Sequence, residues 1–246
     1  MINVTDNLSC VHILKFELQS DKPITVPKSY NHLLQHFFYS KLEKELHDQE
    51  GFKFFVYSKI ISNKQPEKRD GILTYDSSFK LYFASVKQEI LNRLVNSIIT
   101  GEDLKLGPNK LYSAGVSQIE IPLKEKMILK ALSPIVIYKT QNGVKMYSNP
   151  WCKEFYDGVK HNLLHKYEVF YGRQYDGELD IQPHYVHRNY RRKLFYKGLV
   201  VEGWEGYYEI AAREDMMRIV LGAGLGVMNS AGFGMMMVDE KGGKDV

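Results

Sequence analysis

The chain has 246 residues, of which 44% are hydrophobic, 13% aromatic and 25% charged. This mixture is typical of an ordered globular protein and excludes a wholly disordered chain or a fibrous repeat. The 33 Lys and Arg residues outnumber the 29 Asp and Glu residues, and the net charge of +4 is compatible with a polyanionic partner if the cations share one face.

Cysteine content and hydropathy indicate where the protein works. Cys10 and Cys152 are far apart and show no metal-ligand spacing, so the sequence predicts neither a disulfide framework nor a zinc ribbon. No stretch approaches the roughly 20 consecutive apolar residues that span a bilayer, and the N-terminus has no secretion-signal pattern. We therefore expect a cytoplasmic protein with no membrane partner, no metal and no other cofactor.

In the first half of the chain, hydrophobic periodicity predicts the order βαββαβ. Strands are predicted over residues 11–18, 52–61, 72–85 and 112–121, with a polar hairpin connection over 63–71. Helices are predicted from about 30 to 47 and from 89 up to Gly101, because apolar residues recur there at steps of three and four.

The second half repeats this order after a short charged segment over residues 122–126. Strands are predicted over 127–139 and 233–238, with 178–197 and 199–211 as a strand pair, and helices over 151–171 and 213–221. Two successive βαββαβ units predict an α+β protein of two tandem ferredoxin-like domains with antiparallel sheets, residues 1–121 and 122–246.

Two histidines in the predicted helix over 151–171 raise the question of a metal site. His161 and His165 are four residues apart and could in principle chelate a metal. However, no Glu follows His161 as in the zinc-protease motif, and Lys160 and Lys166 flank the pair. We therefore predict that this part of the helix is a solvated face.

Residues 222–234 contain five glycines and follow a predicted helix. Glycine permits positive φ and close backbone approach, so successive N–H groups could bind a phosphate. A dinucleotide fingerprint is excluded because it follows a strand and opens a helix, and a Walker loop is excluded because Gly-Lys-Ser/Thr is absent. A glycine-rich turn without a ligand is the alternative.

This glycine-rich segment resembles the C-terminal signature of the CRISPR-associated repeat-RNA endoribonucleases of the RAMP superfamily, which cut precursor transcripts into guide RNAs. That signature is two Gly-hydrophobic-Gly triplets around a short insert, as in residues 224–226 and 232–234. Val227 and Met228 stand where many members carry a basic residue, so the backbone N–H groups would be the loop's contribution. The resemblance covers nearly the whole chain and implies RNA binding by Gly224, Gly226, Asn229, Ser230, Gly232 and Gly234.

The resemblance extends to the first predicted helix. The family's nuclease site has a tyrosine within that helix, a histidine at its end and a lysine at the start of the next strand, and Tyr39, His47 and Lys53 fall at corresponding places. Cleavage without metal by 2′-hydroxyl attack needs a proton acceptor, a proton donor and a cation beside the phosphate. In this scheme His47 is the general acid/base, Lys53 stabilises the phosphorane, and Tyr39 orients or helps deprotonate the 2′-hydroxyl. In the alternative interpretation none of the three is catalytic: His47 is a solvated helix cap, Lys53 is a polar strand residue and Tyr39 lies at the core margin.

Residues 184–197 contain five cations, several aromatic residues and no acid. Cations bind phosphates and aromatic rings stack on bases, so the segment predicts an RNA groove, and a charged strand edge is the alternative. The five cations are Arg188, Arg191, Arg192, Lys193 and Lys197.

Taken with the resemblance, these features predict a metal-independent endoribonuclease that binds CRISPR repeat RNA and leaves 5′-hydroxyl and 2′,3′-cyclic phosphate ends. A catalytically silent repeat-RNA-binding or scaffold protein of a guide-RNA complex is the first alternative, and a nucleotide-dependent enzyme is the second. The resemblance leaves open whether other CRISPR effector-complex subunits are partners, and whether the protein is a monomer or a homodimer.

Overall fold

The computed structural model describes residues 9–42, 51–100 and 103–239. The N-terminal half contains helices α1 (Asn31–Tyr39) and α2 (Gln88–Ile99). Its strands are β1 (Cys10–Gln19), β2 (Ile24–Pro27), β3 (Phe55–Tyr57), β4 (Glu67–Arg69), β5 (Ile72–Tyr75), β6 (Ser78–Ser85), β7 (Leu104–Leu106) and β8 (Asn109–Pro122).

The main sheet of this half has the strand order β3-β6-β1-β8-β7, and all its strand pairs are antiparallel. Strands β1, β3, β6 and β8 with helices α1 and α2 form a βαββαβ unit, in which β1 lies between β6 and β8. This strand order is the ferredoxin-like arrangement. Strands β2, β5 and β4 form a small separate sheet.

The C-terminal half contains helices α3 (Lys153–Tyr171) and α4 (Glu214–Ala223). Its strands are β9 (Lys126–Ala131), β10 (Tyr138–Gln141), β11 (Val144–Tyr147), β12 (Leu179–Tyr185), β13 (Arg191–Tyr196), β14 (Leu199–Trp204), β15 (Tyr207–Ala212) and β16 (Met236–Val238). The antiparallel sheet β12-β15-β9-β16 repeats the ferredoxin-like order, while β10-β11 and β13-β14 form separate hairpins. The predicted fold class is confirmed.

Hydrophobic periodicity explains how the helices pack on the first sheet. In α1, Leu34, Phe37 and Phe38 are buried at steps of three and one, and the Phe38 ring centroid lies 4.6 Å from that of Tyr57 on β3. The Phe38 ring also lies 5.1 Å from Phe83 on β6. One apolar side of the helix therefore covers the sheet.

Helix α4 joins the two units. It belongs to the C-terminal unit by sequence, yet it contacts β1, β3 and β6 of the first sheet. Its residues Ile219 and Val220 are completely buried in one core together with Ile13 and Val56 of the first unit. The glycine-rich segment that follows α4 therefore begins at the junction of the two units.

The structure corrects two predicted strand assignments. The stretch 72–85 is two strands, of which β5 joins the small sheet and β6 the main sheet. The predicted pair over 178–197 and 199–211 is two nested pairs: β12 and β15 belong to the main sheet, and β13 and β14 form a hairpin between them. Alternation along a strand does not specify the partner strand, so the sequence pattern could not separate these sheets.

Other elements differ from prediction at their ends. Helix α1 ends at Tyr39 and residues 40–42 form a turn, while the rest of the predicted helix lies outside the described residues. Strand β9 ends at Ala131, well before the predicted end at 139. None of the described helices has both the length and the apolar run that a membrane crossing requires.

Candidate functional site

An open cavity of about 250 Å³ lies at the junction of the two units. Its walls come from the segment before β3, from α3 and from the glycine-rich loop after α4. The polar residues that line it are Lys53, Asn162, Lys166, Asn229 and Ser230. Ammonium, amide and hydroxyl groups are all suited to binding phosphate oxygens.

A backbone turn before β3 explains why Lys53 lines the cavity. Phe54 has φ of 55°, in the left-handed region that non-glycine residues rarely adopt. The Ser85 hydroxyl holds this turn by donating a 2.7 Å hydrogen bond to the Phe54 carbonyl oxygen. Strand β3 consequently begins only at Phe55, and the prediction of a strand over 52–61 is wrong for Lys53, which precedes the sheet.

The glycines of the loop permit close backbone packing. Gly232 has φ of 86°, and a Cβ there would lie 2.5 Å from a ring atom of Tyr57. Gly234 has φ of 76°, and a Cβ there would collide with the carbonyl oxygen of Leu225. Because side chains at these positions would force the loop apart, glycine is required for its shape.

The backbone N–H groups of these glycines mostly serve the loop itself. The Gly224 N–H donates to the Val220 carbonyl at 3.1 Å, that of Gly232 to Asn229 at 2.9 Å and that of Gly234 to Pro134 at 2.8 Å. In this structure these three N–H groups have partners within the protein, and phosphate binding by them stays a prediction. Gly226 is also buried, and the loop is half-buried only over residues 227–230.

Lys166 of α3 holds the glycine-rich loop in place through hydrogen bonds. Its side chain is buried, and Nζ donates hydrogen bonds to the carbonyls of Gly224 (2.7 Å) and Gly226 (3.0 Å) and to Asn229 Oδ1 (2.7 Å). Burial lowers the pKa of Lys166 to about 7, while the three oxygen acceptors favour its charged form. The prediction that Lys166 lies on a solvated face is wrong, although His161 and His165 are exposed as expected.

Asn229, predicted to bind RNA, also braces the loop. Its side-chain amide donates to the carbonyls of Leu225 (3.0 Å) and Phe233 (2.9 Å), which belong to the two Gly-hydrophobic-Gly triplets. The side chain therefore ties both triplets together and accepts a hydrogen bond from Lys166. Ser230, one residue further on, is half-buried and lines the cavity.

The three predicted catalytic residues have different positions relative to the cavity. Lys53 lines it. Tyr39 is buried at the end of α1, with its ring centroid 5.5 Å from that of Phe55, so it lies behind a lining residue rather than on the wall. His47 lies outside the described residues.

The β13-β14 hairpin carries most of the predicted RNA-binding cations. Arg191 forms two hydrogen bonds with the carboxylate of Glu202, through Nε at 2.7 Å and Nη2 at 2.6 Å. Arg192 donates to Glu205 at 2.8 Å, and Lys193 lies 3.8 Å from Glu202. The cations of this segment were expected to lack acidic partners, and for these three that expectation is wrong because Glu202 on β14 and Glu205, directly after β14, supply the acids.

Two other cations of the segment keep their charge exposed. Arg188 lies in a 3-10 turn before the hairpin, and Lys197 lies at the hairpin turn with its ammonium 5.5 Å from the Tyr196 ring. Neither forms an ion pair with another residue in the part of the chain that the structure describes. They are therefore the cations of this segment that are free to meet a polyanion.

The hairpin is attached to the first unit beside α1. The Tyr196 hydroxyl donates a 2.6 Å hydrogen bond to the Gln35 side chain, and the Phe195 N–H donates to the Ser29 hydroxyl at 2.8 Å. Burial raises the pKa of Tyr196 to about 12. The amide of Asn31 donates to the Ala231 carbonyl at 3.3 Å, so α1 contacts both the hairpin and the glycine-rich loop.

Several residues of the site were missed from sequence. Asn162 and Phe52 line the cavity without any sequence signal that marks them, and Met228, noted from sequence only as standing in place of a basic residue, lines it as well. Lys166 did carry a signal: Phe155, Val159 and Leu163 are buried at steps of four, and Lys166 continues their stripe three residues later.

Together these elements define a class of protein: two tandem ferredoxin-like units whose junction holds a lysine-containing cavity beneath a glycine-rich loop. The model described as "CRISPR-associated protein Cas6, N-terminal" matches residues 25–117, and "CRISPR associated protein Cas6, C-terminal" matches residues 117–238. The chain belongs to the Cas6 family.

Two curated relatives resemble the chain over most of its length. "CRISPR-associated endoribonuclease Cas6 1" of Methanocaldococcus jannaschii is 28% identical over 244 residues, covering 94% of this chain and 95% of the relative. "CRISPR-associated endoribonuclease Cas6" of Pyrococcus furiosus is 27% identical over 229 residues, covering 89% of this chain and 86% of the relative.

Solved structures agree with the fold. A structure titled "CRISPR associated protein Cas6" superposes with a TM-score of 0.80 at 25% identity, covering 94% of this chain and all of that one, 100%. A structure titled "Characterization of a Cas6-related gene from Pyrococcus furiosus" gives a TM-score of 0.81 at 21% identity, covering 94% of this chain and 99% of that one. The tandem ferredoxin-like architecture is thus shared with solved members of the family.

Proposed function

We propose that this protein cleaves CRISPR repeat RNA in its precursor transcript by 2′-hydroxyl attack, without a metal ion, at the cavity beneath the glycine-rich loop. Endoribonuclease activity follows from membership of the Cas6 family, whose relatives in Methanocaldococcus jannaschii and Pyrococcus furiosus are named as CRISPR-associated endoribonucleases. The single observation that carries the choice of site is that Lys53 lines the cavity together with Ser230 of the loop.

The proposed chemistry requires no group beyond those of the chain. The 2′-hydroxyl of the RNA gives its proton to His47, the general acid/base, as its oxygen attacks the adjacent phosphorus. The bond to the 5′-oxygen breaks, that oxygen takes a proton back from His47, and the products carry a 2′,3′-cyclic phosphate and a 5′-hydroxyl. The Lys53 ammonium stabilises the negative charge that accumulates on the phosphorane. A histidine can fill both proton-transfer roles because the unperturbed pKa of an imidazole side chain, about 6.5, is near neutrality.

Tyr39 has an indirect part in this proposal. Its side chain is buried behind Phe55, so it would reach the 2′-hydroxyl only after a rearrangement of the cavity wall. A positioning role is therefore better supported than proton abstraction. The same burial favours the alternative function, a repeat-RNA-binding protein that does not cut, if the cavity cannot admit the scissile nucleotide.

RNA would reach the cavity along the β13-β14 hairpin. The hairpin contacts α1 through Tyr196 and Gln35, and α1 contacts the glycine-rich loop, so a bound strand could pass from one to the other. Arg188 and Lys197 supply exposed positive charge along this route. The proposed function does not depend on the oligomeric state, on further partners or on the location of the protein. A monomer or a homodimer, effector-complex subunits as partners and a cytoplasmic location therefore stay predictions.

The test is cleavage of the host's repeat RNA by the purified full chain in excess EDTA, with mapping of the product termini. We expect cleavage to continue and to leave 5′-hydroxyl and 2′,3′-cyclic phosphate ends. Lys53→Ala and His47→Ala should each slow single-turnover cleavage by about 100-fold or more, while exposed control variants Lys64→Ala and His32→Ala should match the parent.

Three results would contradict the proposal. Loss of cleavage on chelation would assign the reaction to a metal nuclease. Equal rates for the parent, Lys53→Ala and His47→Ala would move the chemistry away from this cavity, and RNA binding without any cleavage would favour the silent binding protein.

A further inference from the structure

Three groups that ligate transition metals meet at the outer end of the β1-β8 strand pair. His12 on β1 is directly opposite Glu120 on β8, and Cys10 is two residues before His12 on the same side of the strand. Their ligand atoms, Cys10 Sγ, a His12 ring nitrogen and a Glu120 carboxylate oxygen, all lie within 4.8 Å of one another. None of the three residues lines the cavity described above.

The distances suit a small tetrahedral ion. Cys10 Sγ lies 3.5 Å from His12 Nε2. Bonds of about 2.3 Å from zinc to sulfur and about 2.0 Å from zinc to nitrogen, at a tetrahedral angle, also separate the two ligand atoms by about 3.5 Å. The carboxylate is exposed, so it can turn toward a shared ion.

We propose that Cys10 Sγ, His12 Nε2 and a Glu120 carboxylate oxygen bind one Zn²⁺ ion, with the fourth position taken by water. Sulfur, imidazole and carboxylate together favour zinc over the hard ions Mg²⁺ and Ca²⁺, which prefer oxygen alone. The thiolate and the carboxylate supply two negative charges. Arg218 acts electrostatically on the same thiol, so binding must overcome one neighbouring positive charge.

The ion would link β1 to β8 of the first unit, next to the connection with the second unit. Beyond β8 the chain passes to β9 through residues 123–125, and the Leu123 N–H donates a 2.8 Å hydrogen bond to the Ser9 carbonyl, next to Cys10. Zinc bound across β1 and β8 therefore stabilises the strand ends from which the second unit departs. It takes no part in RNA cleavage, which the proposal above makes independent of metal.

The alternative to a zinc site is that Cys10, His12 and Glu120 form a hydrogen-bonded cluster without a metal ion. Burial, and then a hydrogen bond to Glu120, raise the pKa of the Cys10 thiol. A thiol that keeps its proton would bind its neighbours only by hydrogen bonds. The experiment has to separate this cluster from a metal site.

The test uses the untagged full chain, stripped with EDTA, dialysed and titrated first with Co²⁺ and then with Zn²⁺. We expect about one ion per chain, a thiolate-to-cobalt charge-transfer band that Zn²⁺ removes, and a higher Tm with Zn²⁺. Cys10→Ser should abolish the band, and His12→Gln and Glu120→Gln should weaken binding by about 10-fold or more. Cys152→Ser, which changes the other cysteine of the chain, should bind like the parent.

Alkylation of the unmodified protein tests the site even if a variant does not fold. Because Cys10 is buried, its slow alkylation reports on local opening of β1; Zn²⁺ should slow this alkylation further and leave that of Cys152, the internal control, unchanged. A folded parent that shows no cobalt band, or Zn²⁺ that leaves the reactivity of Cys10 unchanged, would overturn the proposal in favour of the hydrogen-bonded cluster. Cleavage in EDTA is a separate readout, so failure of the zinc site does not bear on the proposed nuclease.

Discussion

At the scale of single residues, the cavity depends on one buried lysine, whose exposed fraction is only 1%. Lys166 donates to two carbonyls of the glycine-rich loop and to Asn229, and Asn229 in turn joins the two triplets. A charge is expensive to bury unless it is hydrogen-bonded, and here three oxygen atoms provide that compensation. Lys166 is therefore a positioning residue for the loop that forms one wall of the cavity.

Lys166→Met should change how stability depends on pH. The pKa of Lys166 is lowered to about 7 in the folded chain, whereas in the unfolded chain it is about 10.4, so between these values the unfolded chain binds more protons. The free energy of unfolding of the parent should accordingly gain a rising contribution as pH increases through that window. Denaturant unfolding at about pH 7 and about pH 10 measures it.

The control for this experiment is Lys153→Met, an exposed lysine at the start of the same helix. Its variant should keep the parent's pH dependence, whereas Lys166→Met should flatten it. If parent and Lys166→Met show the same slope, the three acceptors hold the lysine charged throughout and its pKa is not lowered.

At the scale of secondary-structure elements, periodicity predicted the helices and the main strands but not their partners. The buried stripes of α1 and α2 recur at helical steps, so both helices were predicted close to their observed positions. The acids that pair with Arg191 and Arg192 are Glu202 on the next strand and Glu205 directly after that strand, and only the pairing of β13 with β14 brings them close to the arginines. Contacts of this kind depend on strand pairing, which a local pattern does not contain.

The proposed metal ligands illustrate the same limit. Cys10 and His12 are two residues apart, but Glu120 joins them only because β1 and β8 are neighbours in the sheet. Similarly, Lys53 was predicted at the start of a strand, whereas the turn at Phe54 that places it before β3 depends on a hydrogen bond from Ser85. The cluster of zinc ligands and the Ser85–Phe54 hydrogen bond each join residues that are distant in sequence but adjacent in the fold.

The hairpin leads to a prediction about salt dependence. Arg188→Ala and Lys197→Ala remove exposed cations that form no ion pair in the described part of the chain, so each should weaken repeat-RNA binding. The slope of log affinity against log salt should fall in magnitude by about 0.7 for each lost phosphate contact. Filter binding over a salt series measures both quantities.

Arg69→Ala is the matched control, because Arg69 is equally exposed but lies on β4 of the small sheet. It should leave the slope unchanged. An unchanged slope for Arg188→Ala and Lys197→Ala would remove the hairpin from the RNA interface. Charge reversal of Arg191 or Arg192 is less informative, since it would also place like charges beside Glu202 or Glu205.

At the scale of the whole molecule, the two units share a core through α4. One face of the first sheet is covered by its own helices, and α4 of the second unit packs against β1, β3 and β6. The cavity, the glycine-rich loop and the hairpin contacts all lie at this junction. The geometry of the candidate site therefore depends on the two units folding against one another.

This shared core predicts that the units unfold together. Ile219→Ala removes buried methyl groups at the junction and should lower the free energy of unfolding by about 2–5 kcal/mol, whereas Val169→Ala on the exposed side of α3 should have little effect. The chain's two tryptophans, Trp151 and Trp204, both lie in the second unit, so their fluorescence reports on that unit and circular dichroism reports on both. The two denaturation curves should coincide in the parent and shift together in Ile219→Ala. Separate transitions would mean that the first unit is stable without α4, and the cavity would then form by docking of two independently folded units.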